Sequence, residues 1–285
     1  MEKYTMQLCV AGISINIEAD FPIECAEKCI PFLSDNDTKE ISMKFYCDEL
    51  PNIEGYFHIY EGKEYDILQK EERYICVFYR NYNKKEIDFY TCFANETANF
   101  YEVYLSDSRL AKRTINPLQY VEISLLLIPY DTIVLHCSVI DTNGRGVLFT
   151  APSGTGKSTQ AELWEKYKGA EIINGDRGFI RMQEGKYMAY GSWYAGSSRI
   201  YKNKSIPVAT VVVLRQAREN KIRRLSKKEA YIYLLSEISA SQWNRKVLEK
   251  QCEWLLEFLD KIPVYLLECR PDLEAVEVLE KELRR

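Results

Sequence analysis

Residues Thr150–Gln160 read "TAPSGTGKSTQ", a small-residue loop closed by Gly-Lys-Ser-Thr. Ala151-x-x-x-x-Gly156-Lys157-Ser158 follows the phosphate-binding pattern GxxxxGK[ST], with alanine at the first glycine. Gly154 and Gly156 carry no side chains, so successive backbone N–H groups can converge on phosphate oxygens while a following helix aims its positive end at the same point. On this reading Ala151, Ser153, Gly154, Thr155, Gly156, Lys157, Ser158 and Thr159 form the nucleotide-binding loop. Lys157 reaches the β and γ phosphates of ATP, and Ser158 gives an oxygen to Mg²⁺. Alanine at 151 is a mild departure if its φ is negative and a costlier one if a positive φ is needed.

The flanking sequence supplies the strand and helix that such a loop requires. "VLFT" (147–150) reads as the entering strand, and 157–168 as a helix with Ala161 and Trp164 on one side, ended by Gly169. Asn143-Gly144 lies between two apolar runs, "TIVLHCSVI" and "VLFT", a strong hairpin signal. The loop strand therefore has an antiparallel neighbour just before it. Downstream, "AEIIN" is a short strand, "GFIRM-QEGK-YMAYG" a hairpin, and "VATVVVL" (208–214) a β-branched strand buried on both faces. Helices are expected over 227–238, with Ser226 and Glu229 spaced as a capping box, over 242–259, and from Asp272; "VYLLEC" is a strand between the last two.

Residues 1–113 read as a β-rich domain and 114–285 as an α/β domain. "ISINIEA" (13–19) alternates as a half-buried strand does, and "ISMKFYC", "YFHIY", "RYICVFY", "IDFYTCF" and "FYEVYL" are rich in aromatic and β-branched residues. "NYNKKE" is a hairpin turn and "CAEKCIPFL" a short helix. A helix over 116–127 is expected, with Asn116 as cap and Pro117 at its first position.

Composition narrows the partners. A formal charge of −4 argues against nucleic acid, which needs a strongly basic face. No apolar run reaches the roughly 18 residues of a membrane helix, and "MEKYTMQLCVAG" lacks the order of a secretory signal. The nine cysteines are odd in number and contain no CxxC pair, which reads as free thiols in a reducing cytoplasm. The 21 tyrosines point to no function by themselves.

Two further residues stand out as catalytic candidates beside Lys157. Asp176, in "EIINGDR", follows a strand that comes directly after the loop helix. Beside the loop strand, that strand's C-terminal end would bring the carboxylate to the phosphates as metal ligand or proton acceptor. The plainer alternative is a turn residue paired with Arg177. His136, on the strand paired with the loop strand, could orient Asp176 or the acceptor hydroxyl; a satisfied core histidine is the plainer alternative.

The string "LHCSVIDTNGRGVLFTAPSGTGKSTQAELWEKYKGAEIINGDRGFI" resembles the HPr serine kinase family, whose core is shared with phosphoenolpyruvate carboxykinases. Members carry a histidine on the strand before the hairpin, the glycine-rich loop, a helix, and a strand ending in acid. Their counterparts here are His136, residues 151–159 and Asp176. The resemblance implies an α/β fold, a mixed-sheet P-loop kinase core behind the β-rich N-terminal region, with ATP and Mg²⁺ as cofactors. Two departures set the chain apart from HPr kinase proper. Gly175-Asp176 stands where paired acids are usual, so one carboxylate does the work of two or a ligand comes from elsewhere. "GSSRIYKN" has no match for the downstream metal-binding acid. A carboxykinase would be longer and richer in histidine.

The expected function is a kinase that moves the γ-phosphoryl group of ATP to a serine-like hydroxyl in a peptide, small protein or small molecule. The alternative is an ATP-binding module without turnover. Arg177 and Arg199 are candidates for transition-state charge, or else surface cations. "RQARENKIRRLSKK" (215–228) reads as a solvated face or as a docking face for an acidic peptide.

Overall fold

The computed structural model describes residues 3–36, 38–47, 49–95, 98–106 and 114–284. The protein is α/β, with two mixed sheets and a mostly β N-terminal region. Its chain divides into one compact unit of Met1–Pro129 with Ser241–Val247, and a second of Tyr130–Ala240 with Leu248–Arg285.

The first unit holds β1 (Tyr4–Val10), β2 (Ile13–Ala19), β3 (Glu24–Cys25), β4 (Ile41–Cys47), β5 (Phe57–Glu61), β6 (Tyr65–Lys70), β7 (Arg73–Tyr79), β8 (Ile87–Phe93), β9 (Phe100–Leu105), β10 (Thr114–Ile115) and α1 (Ile123–Leu127). Eight of these strands form one sheet in the order β1-β2-β4-β9-β8-β7-β6-β5. The β2–β4 and β4–β9 pairs are parallel and the other pairs antiparallel.

Two local expectations are corrected here. β2 alternates in sequence, yet Ser14 and Asn16 are as buried as its isoleucines. The chain around residues 38–40 covers the polar face: the Ser14 amide donates to Glu40 Oε2 (2.6 Å) and its hydroxyl bonds Thr38 Oγ1 (2.8 Å). The helix expected over 116–127 is broken into a 3₁₀ turn at Pro117–Gln119 and the five-residue α1. Tyr120 stops it. Its ring packs edge-on against Phe45 and Phe89, and its carbonyl accepts from the Thr91 hydroxyl (2.6 Å). A long-range partner thus takes an acceptor that a continuous helix would need.

The second unit holds β11 (Thr132–Thr142), β12 (Arg145–Thr150), α2 (Lys157–Lys168), β13 (Glu171–Asn174), β14 (Arg177–Gln183), β15 (Lys186–Tyr190), β16 (Ser205–Gln216), β17 (Lys221–Arg224), α3 (Lys227–Leu235), α4 (Arg245–Lys261), β18 (Val264–Cys269) and α5 (Leu273–Leu283). The strand order is β12-β11-β14-β15-β16-β18-β17, with β13 added on β11 and a further β12–β16 pairing. β12 and β18 both run parallel to β16, one on each side, as its β-branched run requires. The 143–144 turn has positive φ at both residues (56° and 78°), the geometry of a two-residue hairpin. α2 and α5 bury Ala161, Trp164, Ala275, Val276 and Leu279 against Phe149, Val212 and Leu267 of the parallel strands.

Candidate functional site

Parallel strands place their C-terminal ends on one edge, where the backbone leaves the sheet and a crevice can form. Here β12 ends at Thr150, β16 at Gln216 and β18 at Cys269. β12 runs directly into residues 151–156, and α2 begins at Lys157. Ala151 is buried in the α2–sheet core and is not among the positive-φ residues, so the alanine costs the loop no backbone strain. Gly156 caps α2 at φ 115°, a conformation that suits glycine, and a side chain there would meet nothing within 4 Å.

The loop leaves several donors without a backbone acceptor. Within it the Thr155 amide bonds Pro152 O (3.3 Å) and the first helical bond is Gln160 N to Gly156 O (2.9 Å). Among the described residues, the amides of Gly154, Gly156, Lys157 and Ser158 have no backbone acceptor. Lys157 is buried. Its ammonium donates back to Ala151 O (2.7 Å) and Pro152 O (3.4 Å), and burial lowers its pKa while the carboxylates of Glu237 and Asp176 oppose that shift. The loop thus holds a cation against its own carbonyls, beside a set of unpaired N–H groups.

Next to the loop lies a cavity of about 480 Å³, bounded by Gly154–Gly156, Thr159, Gln160, Gln216 and Arg270 among others. Gln160 is buried; its Nε2 lies 3.4 Å from Cys269 Sγ, and its Oε1 has no hydrogen-bond partner. Gln216 at the end of β16 faces the Gly154 and Thr155 carbonyls (3.5 and 3.4 Å). Ser153 is exposed, and Ser158 is the second residue of α2.

Asp176 reaches this edge by a route other than the one expected. β13 does not lie beside the loop strand; it pairs with β11, which stands between them. β11 is antiparallel to both, so β12 and β13 still end on the same side, flanking His136 and Cys137. Thr150 Oγ1 donates to His136 O (2.9 Å) from one flank, and Cys137 N donates to Asp176 O (2.9 Å) on the other. Among the described residues, no hydrogen bond or ion pair joins Ser158 to Asp176.

His136 sits between two carboxylates. Its Nε2 lies 3.6 Å from Asp176 Oδ1, and its Nδ1 lies 3.0 Å from Glu237 Oε2. Glu237 follows α3, and its side chain is only 9% exposed. Its main chain is tied to the same strand, with His136 N donating to Glu237 O (2.9 Å). The His136 ring, 3.6 Å away, is the main cause that holds the Asp176 carboxyl below its usual pKa; Arg177 and Lys157 add to it, and burial opposes it. Arg177 Nε stands 3.9 Å from Asp176 Oδ2, with its guanidinium over the Tyr194 ring at 5.3 Å. Asp176 therefore has both the histidine and the arginine beside it. Arg199 is exposed in a left-handed conformation (φ 55°).

Asn174 sets the turn that presents Asp176. Fully buried, it accepts from the amides of Asp176 (2.9 Å) and Arg177 (2.8 Å) and donates to the carbonyls of Ser192 (2.8 Å) and Tyr194 (3.0 Å). The 192–198 segment closes over the carboxylate. A Cβ on Gly196 would stand 2.9 Å from Asp176 Cγ. Sequence reasoning passed over both Asn174 and Glu237. The Asn-x-Asp spacing at a strand end is an Asx-turn signal for the first. Glu237, 101 positions from His136, has no local signal at all.

Among the described residues no group of three or more His, Cys, Asp or Glu side chains could hold a metal ion by itself. Mg²⁺ commonly takes one or two protein oxygens and completes its shell with phosphates and water, so Ser158 and Asp176 are chemically suited donors. No helix is long and apolar enough to cross a membrane among the described residues. The nine cysteines are thiols and not disulfides; burial pushes Cys137 up to about 12, which makes it an inert thiol.

Comparison with known proteins adds the following. No curated protein matches the chain. Among solved structures, the Hpr(Ser) kinase/phosphatase from Coxiella burnetii is similar at 12% identity and a TM-score of 0.33, over 53% of this chain and 95% of that one. A likeness of that size assigns no activity. A family model described as "SynChlorMet cassette protein ScmC" matches residues 119–284, more than half of the sequence and nearly all of the second unit. The chain belongs to the ScmC family.

Proposed function

We propose that the protein binds ATP at the 151–159 loop and transfers the γ-phosphoryl group to a hydroxyl acceptor. The observation that carries this reading is the set of unpaired amides at Gly154, Gly156, Lys157 and Ser158 beside the Lys157 ammonium, all at the mouth of α2. Such a constellation attracts a polyanion through oriented dipoles and one full charge. Lys157 would exchange its loop carbonyls for phosphate oxygens, and the adjacent cavity would receive the nucleoside.

Asp176, with its pKa held down, is ionised at neutral pH. It would accept the proton of the attacking hydroxyl or bind metal. In the transfer, an acceptor O–P bond forms as the bond from Pγ to the β,γ-bridging oxygen breaks, and ADP leaves with those electrons. Mg²⁺, held by Ser158, Asp176 and the phosphates, would neutralise charge on the phosphate oxygens. His136 orients Asp176, and Glu237 orients His136, so Glu237 is a positioning residue at one remove.

The test is transfer of labelled phosphate from ATP to a panel of peptide and small-molecule hydroxyls. Asp176→Asn is expected to reduce the rate by about 10²-fold or more. Transfer at the native rate by Asp176→Asn would remove the proposed role. One observation favours the alternative of a binding module without turnover: both acids already engage His136, and Glu237 is nearly buried. In that case Mg-ATP stabilises the protein and no acceptor is ever labelled.

A further inference from the structure

The cavity beside the glycine-rich loop is walled by Gly154–Gly156, by the first turn of α2, and by the ends of β16 and β18 with the residues that follow them. At about 480 Å³ it falls within the range of pockets that hold a small organic ligand. Leu214, Ala217 and Pro271 give it apolar surface. Arg270 is the one charged side chain among its described lining residues, and that charge is already matched. Its Nε donates to Asp272 Oδ2 (2.8 Å), its Nη2 to Glu274 Oε2 (2.6 Å), and its Nη1 to Arg218 O (3.3 Å). The polyanion therefore belongs at the loop amides and Lys157, and what extends from it into this cavity is an uncharged group.

One polar atom in this wall is left over. Gln160, in the first turn of α2, is only 2% exposed. Its Nε2 faces Cys269 Sγ (3.4 Å) and Arg270 O (3.5 Å), both on residues of the cavity wall, while its Oε1 has no hydrogen-bond partner among the described residues. The Arg270 carbonyl can only accept, so it fixes which end of the carboxamide faces it and leaves the oxygen open. Both Nε2 contacts are long and the terminal torsion of glutamine is broad, so a small turn brings Oε1 to a ligand without breaking a strong bond. A buried acceptor without a donor is costly. The group that completes this one is an N–H donor that arrives with the ligand.

We propose that this cavity takes an adenine ring and that Gln160 selects it, Oε1 accepting a hydrogen bond from the exocyclic amine. The proposal rests on the nucleotide reading of the loop and adds which base the site prefers and which residue decides it. In the same pose guanine and hypoxanthine would turn a C6 carbonyl oxygen toward Oε1, setting two acceptors face to face with no proton between them. A site built around a donor on its ligand rejects the analogue that lacks it, because the buried acceptor then stays unpaired. Leu214, Ala217 and Pro271 offer the same apolar surface to every purine, so they add affinity and no choice.

The experiment is equilibrium binding of the Mg²⁺ complexes of ATP, ITP, GTP and inorganic tripolyphosphate to the full chain. ITP replaces the amine by a carbonyl, and tripolyphosphate reports the loop without any base. Native protein is expected to bind ATP about tenfold or more tighter than ITP or GTP. Gln160→Leu removes the acceptor at similar volume and should bring ATP affinity down to that of ITP, with a melting temperature close to native because no strong hydrogen bond is lost. Gln160→Met is a second apolar variant for the same comparison, in case the first does not fold. Tripolyphosphate binding accompanied by equal affinity for ATP, ITP and GTP overturns this proposal and leaves the loop reading standing. So does a preference for ATP that both variants retain, or tightest binding of GTP. Binding of none of the four ligands overturns the loop reading, and this proposal with it.

Discussion

At the scale of single residues, the site depends on groups that hold one another in place. Asp176 titrates below the ordinary carboxylate value because His136 and Arg177 favour its charged form. A group with a depressed folded pKa contributes stability that is present above its unfolded value, about 3.9 for Asp, and lost as pH falls through the folded pKa. Native protein should therefore be more stable than Asp176→Asn above about pH 5, and the difference should shrink below about pH 4, read by urea denaturation at each pH. Gly196 has φ 54° and no room for a Cβ beside Asp176. Gly196→Ala should cost about 1–2 kcal/mol for the left-handed backbone alone, and more if Asp176 is displaced. Glu237→Gln keeps the hydrogen bond to His136 but removes the charge, so any transfer activity should fall while Mg-ATP affinity holds, a split between kcat and KM.

At the scale of elements, what was legible in the sequence had local causes. The 143–144 and 184–185 turns, the Ser226–Glu229 capping box and the Asp272 cap all form as their residue types dictate. Asp272 Oδ1 accepts from Ala275 N (3.1 Å), and Asp272→Ala should cost about 1 kcal/mol in a thermal melt. What was illegible had distant causes. The break before α1 depends on Thr91, the burial of Ser14 on Thr38 and Glu40, and the completion of the His136 site on Glu237. Spacing within one segment cannot report a partner tens of residues away. The basic run at 215–228 looked like one face in sequence, yet it spans the end of β16, β17 and the start of α3, with Arg215, Lys221, Arg223 and Lys227 each paired to an acid. Arg218, Arg224 and Lys228 of the same run have no such pair among the described residues. Trp164, buried between α2 and the parallel strands, ties loop position to the core. Trp164→Ala should destabilise by about 3–5 kcal/mol and weaken nucleotide binding as well, measured by denaturation with and without Mg-ATP.

At the scale of the molecule, ligand binding should appear as stability. A ligand that binds only the folded state at a hundredfold excess over its dissociation constant adds about 2.7 kcal/mol, so Mg-ATP should raise the melting temperature and AMP should raise it less. On the proposed reading the glycine-rich loop should be the source of that gain. Isothermal titration calorimetry of Mg-ATP into native protein and Lys157→Ala tests this most directly. Saturable heat with one site in the native protein, weakened about tenfold or more in Lys157→Ala, is the predicted result. Equal affinity in the two proteins, or no heat from the native protein at millimolar nucleotide, would contradict it.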